Sequence, residues 1–221
     1  MNKFVNFLSV IVLIPAAFLA FAIKHELEFW PEKNAAHIPF QTQIYTGVFA
    51  FILLINLFRI YQKWSVIRAF WKIDSFIIKV PVEKSWYTSK SVSNWLEALF
   101  AIAFGYFFAQ NAELTRNLGL ALLLFGLENI FYILWVRSKN LYAVAVNKKA
   151  LILLDRQLSG YYFHGLRKME KDFDQIYFEY MTDLQLKFPL KSLSKENQKL
   201  VIEKVLENIN HDKVYVDQDL V

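Results

Sequence analysis

The sequence predicts a membrane α-helical bundle of four transmembrane helices, followed by a C-terminal α+β domain with an antiparallel sheet and one capping helix. Of the 221 residues, 56% are hydrophobic, and in the first two thirds of the chain they occur in long blocks. Blocks of about 20 apolar residues are typical of membrane spans. Beyond residue 139 the pattern changes to short β-rich segments separated by turns. We therefore expect a transmembrane domain at 1–138, with an amphipathic cytoplasmic loop near 59–93, and a cytoplasmic domain at 139–221.

Four segments are long and apolar enough to cross a hydrocarbon core of about 30 Å. They lie at 4–23, 38–58, 94–112 and 117–136. The first resembles a secretory signal, because Lys3 precedes the apolar run and Ala20-Phe21-Ala22 provides a small-residue cleavage pattern. The run is long for a signal, so we interpret it as an uncleaved anchor.

The basic residues of the connecting segments predict the orientation. Segment 59–93 contains seven Lys and Arg residues, whereas segment 24–37 contains two and the turn before the fourth span contains only Arg116. By the positive-inside rule, we expect both termini in the cytoplasm. The expected location is the inner (cytoplasmic) membrane of the cell. The same distribution accounts for the net charge of +5, and no nucleic-acid-binding motif accompanies it, so we expect no nucleic-acid partner.

The loop between the second and third spans has apolar residues at helical spacing over 64–80. Its basic residues, Arg68, Lys72 and Lys79, lie on the opposite stripe. This pattern predicts an amphipathic helix that lies against anionic headgroups. Two alternatives remain open: the second transmembrane helix continues into the cytoplasm, or 76–82 forms a strand, because it is rich in β-formers.

The C-terminal part predicts five strands and one helix. The strands are expected at 141–146, 150–154, 160–166, 173–180 and 184–188, with turns at 147–149, 155–156, 167–168 and 182–183. Ser194 is a plausible N-cap for the helix, and Glu196 lies in its first turn. Its apolar stripe consists of Ile202, Val205, Leu206 and Ile209. This stripe can cover the exposed face of the sheet.

The segments Tyr-Ala-Val-Ala-Val, Ala-Leu-Ile-Leu-Leu, Phe-Asp-Gln-Ile and Leu-Gln-Leu-Lys-Phe-Pro-Leu precede a closing helix. Together with the four spans, this order resembles the bacterial pleckstrin-homology-like membrane proteins of the YcxB type. The resemblance covers about 80 residues and implies a bent sheet capped by a C-terminal helix and attached to transmembrane hairpins. A full sheet of that kind has seven strands; five are predicted after the last span, and 76–82 could supply a sixth.

Three polar residues of the predicted spans are candidate site residues. Glu128 lies about 12 Å inside the end of the fourth span, where a carboxyl group is either functional or neutralised by packing partners such as Asn56 or Asn129. Glu97 follows Asn94 by three residues, which is the spacing of a capping box, and Arg59 is a candidate ion-pair partner.

Ala101, Gly105 and Ala109 form a small-residue face that permits close approach of another helix.

The sequence contains none of the common catalytic or phosphate-binding motifs. The residues His25, Glu26, Glu28 and His37 do not match the spacing of a known metal site, so we expect neither a metal nor a cofactor. We therefore expect a non-catalytic membrane scaffold or accessory subunit that docks a protein partner or forms a homo-oligomer. The alternatives are a small transporter or ion-conducting oligomer that uses Glu128, and a membrane-embedded enzyme.

Overall fold

The computed structural model describes residues 2–30, 33–34, 39–111 and 113–220. The chain divides into two compact units. The membrane unit consists of Met1–Gln62 and Ser93–Ile133, and the sheet unit consists of Lys63–Val92 and Leu134–Val221. The sheet unit therefore takes one of its segments from the loop between two spans, in addition to the C-terminal part of the chain.

The described part of the first 138 residues contains four long helices: α1 (Asn2–Lys24), α2 (Gln41–Trp71), α3 (Lys84–Asn111) and α4 (Arg116–Ser138). Three of them, α2, α3 and α4, are long and apolar enough to cross a membrane. The segment Ser9–Lys24 of α1 is also apolar but shorter than the other three. The protein is therefore a membrane protein, and α1 as a fourth span stays a prediction. Residues 38 and 112 of the predicted spans lie outside the described residues.

The helices of the membrane unit pack through small residues and aromatic rings. Ala16 and Ala20 of α1 are buried beside Tyr45 of α2, whose hydroxyl donates to the Ala16 carbonyl at 3.1 Å. Phe108 of α3 and Leu118 of α4 belong to the same buried cluster. Between α1 and α2, the short strands β1 (Glu28–Trp30) and β2 (Lys33–Asn34) pair in antiparallel fashion.

Two four-stranded sheets form the sheet unit. The first has the order β3 (Ile78–Pro81), β4 (Ala143–Val146), β5 (Ala150–Leu154), β6 (Leu158–Tyr162), and all its pairs are antiparallel. The second has the order β10 (Tyr215–Val216), β7 (Leu166–Asp172), β8 (Gln175–Tyr180), β9 (Gln185–Pro189). In the second sheet, β10 alone is parallel to its neighbour.

A hydrophobic core joins the two sheets and helix α5 (Lys195–Leu206). Leu151 and Phe178 contribute from the two sheets, and Val201 and Val205 contribute from α5; all four are buried. Burial of such side chains stabilises a fold by roughly 1.5–3 kcal/mol each. The predicted N-cap of this helix is confirmed, because the Ser194 side chain accepts a hydrogen bond from the Asn197 amide.

The predicted amphipathic helix at 64–80 is wrong. Helix α2 continues through Trp71, and Ile78–Pro81 is a strand, so the two alternatives hold for successive parts of the segment. The β-formers of this strand pair with β4, where Val80 lies opposite Val144. Burial of Val80 in the core of the sheet unit stabilises the strand more than contact with a membrane surface would stabilise an amphipathic helix.

The predicted turn at 167–168 is also wrong, because both residues belong to β7. This strand buries Leu166 and Met169, and the register shifts between Leu166 and Lys168. A bulge interrupts the two-residue alternation from which strands are predicted. The predicted strand at 160–166 correspondingly divides into the end of β6 and the start of β7.

Candidate functional site

An ion pair joins two helices of the membrane unit. The Arg59 guanidinium of α2 contacts the Glu97 carboxylate of α3, and the two side chains are only 12% and 16% exposed. The Phe125 ring of α4 lies 5.3 Å from the same guanidinium. The capping function expected for Glu97 is wrong, since α3 begins at Lys84 and Asn94 lies well inside it. Glu97 instead stabilises Arg59.

Further polar side chains on the described membrane helices include three amides and one carboxyl group. Asn56, Asn94 and Asn129 are buried, and the Asn129 side chain donates to the Phe125 carbonyl at 3.1 Å. Glu128 is half-buried on α4. Asn56 also lines an apolar groove of about 370 Å³ that α2 and α4 form. Whether Glu128 has a function beyond packing stays a hypothesis.

The small residues of α3 and α4 bring two backbones close together. A Cβ atom on Gly119 would lie 2.5 Å from the Ala109 nitrogen and 2.7 Å from the Gly105 carbonyl oxygen. Ala101, one turn before Gly105, is also buried. The structure therefore places the predicted small-residue face of α3 within the chain's own bundle, with Gly105 and Ala109 against α4.

The three basic residues expected at the membrane surface occupy different environments. Arg68 and Lys72 are exposed at the end of α2. Lys79 lies in β3, and its ammonium group lies 4.3 Å from the Trp71 ring centre, 5.0 Å from that of Phe76 and 5.4 Å from that of Phe70. This aromatic surrounding attracts the cation and fixes the end of α2 against β3.

Strand β6 is an edge of the first sheet. In an antiparallel pair, every second residue directs its N–H and C=O groups to the partner strand. Because the Phe163 amide donates to the Lys149 carbonyl, the backbone groups of Leu158 and Gly160 point away from β5. The N–H and C=O groups of these two residues have no partner in the described part of the chain. No Lys, Arg or Pro protects this strand, which makes it an available edge for a further strand.

The Tyr161 side chain fixes the position of this edge strand. Its hydroxyl donates to the Lys187 carbonyl of β9 at 2.9 Å. Burial, with the nearby Asp155 and Tyr180, raises the pKa of Tyr161 to about 12, so the hydroxyl stays protonated and able to donate at neutral pH. Strand β6 is thereby attached to the second sheet as well as to its neighbour β5.

A cavity of about 670 Å³ lies in the sheet unit, where α3 begins and α4 ends. We call it the helix-end cavity. Its polar lining consists of Lys84, Tyr87, Thr88, Arg137, Ser138, Asn140 and Tyr142. Neither Lys84 nor Arg137 forms an ion pair with a carboxylate of the described residues. Within the described part of the chain, the two cationic groups of the cavity therefore have no carboxylate counter-ion.

Backbone capping makes one wall of this cavity rigid. Asn140 has a φ of +48°, the Leu141 amide donates to the Val136 carbonyl, and the Asn140 amide donates to the Arg137 carbonyl. These two bonds form a Schellman motif that ends α4. On the facing side, the Tyr87 and Tyr142 rings lie 5.4 Å apart and join the start of α3 to the residue before β4.

Sequence reasoning missed this cavity because its two cations are 53 residues apart and neither belongs to a motif. The available signal was the positions of Lys84 and Arg137 near the cytoplasmic ends of the predicted third and fourth spans. Among the described residues, no group of three or more metal-ligating side chains lies close together. His37, one of the four residues whose spacing matches no known metal site, lies outside the described residues.

No family model, curated protein or solved structure matches this chain.

Proposed function

We propose that this protein is a non-catalytic, multi-pass membrane scaffold, an accessory subunit that holds a partner protein against the cytoplasmic face of an inner membrane. In this proposal α1 is a fourth span and both termini are cytoplasmic. The excess of Lys and Arg between the second and third spans supports this orientation.

The observation that carries the proposal is the origin of β3. This strand lies in the chain between two candidate membrane spans, and it pairs along its whole length with β4, which follows a third. Six residues separate Trp71 from Ile78, two separate Pro81 from Lys84, and four separate Ser138 from Ala143. Three short connections thus link the sheets to the ends of three helices, so a partner bound to the sheets would be tethered to three candidate membrane spans.

We also propose that the sheets are pleckstrin-homology-like. Counting β3, seven strands precede α5: four consecutive antiparallel strands form the first sheet, and β7, β8 and β9 belong to the second, to which β10 adds a short strand after α5. This order and the total of seven support the resemblance seen in the sequence. Domains of this general kind serve as interaction modules on many different proteins, so the fold alone does not name the partner.

The surface that we assign to the partner is the outer edge of β6. Its unpaired backbone groups can form a ladder with an extended segment, and Leu158 and Tyr162 are exposed beside them. Strand addition of this type draws affinity from backbone hydrogen bonds and specificity from alternate side chains. The expected partner segment is therefore extended and apolar at alternate positions.

The experiment compares proteins that co-purify from native membranes in mild detergent with the wild type, Leu158→Lys and Leu200→Lys. Both leucines are exposed, and Leu200 lies on α5, so the second variant is a matched control. A lysine on β6 should remove a specific partner that Leu200→Lys retains. Retention of every partner by Leu158→Lys would contradict the assignment of β6, and the absence of any stoichiometric partner in the wild type would contradict the scaffold proposal.

A further inference from the structure

The helix-end cavity has the composition of an anion site. Its two cationic side chains, Lys84 and Arg137, have no carboxylate counter-ion among the described residues. Glu83 precedes Lys84 in the chain but does not line the cavity. An anion in a cavity that both cations line would be attracted by each of them.

The polar groups that line the cavity differ in what they can still bind. The Thr88 hydroxyl donates to the Lys84 carbonyl at 2.9 Å, and the Ser138 hydroxyl donates to the Trp135 carbonyl at 3.0 Å. Their protons are thus already used. The cationic and amide donors of the lining are the Lys84 ammonium, the Arg137 guanidinium and the Asn140 side-chain amide, and this set fits a phosphate group, which accepts several charge-assisted hydrogen bonds at once.

The start of α3 adds to the positive potential. Its first three amides, from Lys84 to Trp86, have no acceptor in the described part of the chain. Unpaired N–H groups at a helix start carry a partial positive charge that favours anions nearby. The cavity therefore combines two full charges with the positive end of a long helix.

The position of the cavity along the helices indicates the source of the phosphate. Arg137 lies in the last turn of α4, directly after the apolar stretch of this candidate span, and Trp135 is exposed one turn before the helix ends. Such Trp and Arg residues mark the headgroup level of a bilayer. Leu134, Val136 and Val82 provide an apolar wall beside the cations, which suits a molecule with both a phosphate and a hydrocarbon part.

We infer that the helix-end cavity binds the phosphate of an anionic phospholipid between Lys84 and Arg137. The phosphate lies between the two cations, and the glycerol and upper acyl-chain carbons lie against the apolar wall. A bound lipid of this kind links the start of α3 to the end of α4. This inference does not depend on whether a protein partner binds to β6.

The test uses the full-length protein in nanodiscs of phosphatidylcholine with and without phosphatidylglycerol. Native mass spectrometry counts retained lipids, and thermal unfolding measures stabilisation. The variants are Lys84→Gln and Arg137→Gln, with Lys139→Gln as the matched control, because Lys139 lies at the same helix end over the Trp135 ring and does not line the cavity. Lys84→Arg preserves the charge and should preserve binding.

We expect phosphatidylglycerol to bind the wild type and Lys139→Gln alike. Each glutamine variant should bind it about fivefold more weakly, which is the contribution of one basic residue near an anionic surface. The inference would be overturned if both glutamine variants bound phosphatidylglycerol as well as the wild type does. It would also be overturned if the wild type retained as much lipid and were as stable without phosphatidylglycerol as with it. Thermal unfolding is also measured with inorganic phosphate in place of phosphatidylglycerol. If inorganic phosphate stabilises the wild type as strongly as the lipid does, the cavity binds phosphate but the assignment to a phospholipid is wrong.

Discussion

Arg59 and Glu97 form an ion pair that joins α2 to α3 with both side chains mostly buried. Removing one partner of a buried pair leaves an uncompensated charge, which typically costs about 3 kcal/mol. We therefore predict that Glu97→Ala lowers the unfolding free energy in detergent by about that amount. The double variant Arg59→Met/Glu97→Leu should recover much of the loss, because it removes both charges. Equal destabilisation by the double and single variants would contradict this.

The contact between Gly119 and the backbone of α3 should not tolerate a side chain. A Cβ at Gly119 would meet backbone atoms at 2.5 and 2.7 Å, which cannot move aside as a flexible side chain can. We predict that Gly119→Ala destabilises the membrane unit by about 2 kcal/mol. Gly47→Ala is the control, since nothing lies within 4 Å of its added Cβ. Thermal unfolding in detergent should show a loss for the first variant and no loss for the second.

Glu128 should be replaceable by a neutral residue of the same shape. The side chain is half-buried in a candidate membrane span, where an added positive charge is costly. We predict that Glu128→Gln keeps the yield and melting temperature of the wild type, while Glu128→Lys lowers both. The control is Glu113→Lys, at an exposed position before α4. Equal stability of the Gln and Lys variants at position 128 would show that the protein does not pack this carboxyl group.

The proposed orientation predicts opposite labelling of two exposed positions. The chain contains no cysteine, so single cysteines report without interference. With a membrane-impermeant thiol reagent, Glu113→Cys should be labelled in intact cells with a permeable outer envelope, and Gln157→Cys only after the inner membrane is opened. The reverse result would invert the topology.

Local signals were enough to predict several elements from the sequence. The apolar blocks indicated α2, α3 and α4 because membrane spans need no information from distant parts of the chain. The cap at Ser194 was equally local, since it depends on a hydrogen bond to Asn197, three residues away. The strands β4 and β5 followed from short continuous apolar runs bounded by turn signals, and nearly all of their residues are buried in the structure.

Elements that depend on distant partners were not predictable in the same way. Strand β3 forms because Val80 lies opposite Val144, and no local pattern specifies that pairing. A bulge in β7 hid its alternation, and β10 consists of only two residues that pair with a strand more than 40 positions earlier. The helix-end cavity likewise depends on two residues, Lys84 and Arg137, that the fold brings to one place.

The pairing of β3 with β4 links the sheets to the loop between two candidate spans, and the scaffold proposal depends on it. Lys79 lies opposite Ala145 in this register. The most direct measurement is mild oxidation, in native membranes, of the double variant Lys79→Cys/Ala145→Cys, with the disulfide detected by mass spectrometry of its peptides. Lys79→Cys/Ser159→Cys is the control, since β6 lies three strands away and about 14 Å distant. We predict a disulfide in the first pair and none in the second. The absence of a disulfide between positions 79 and 145 in the folded protein, or equal formation in both pairs, would contradict the pairing of β3 with β4.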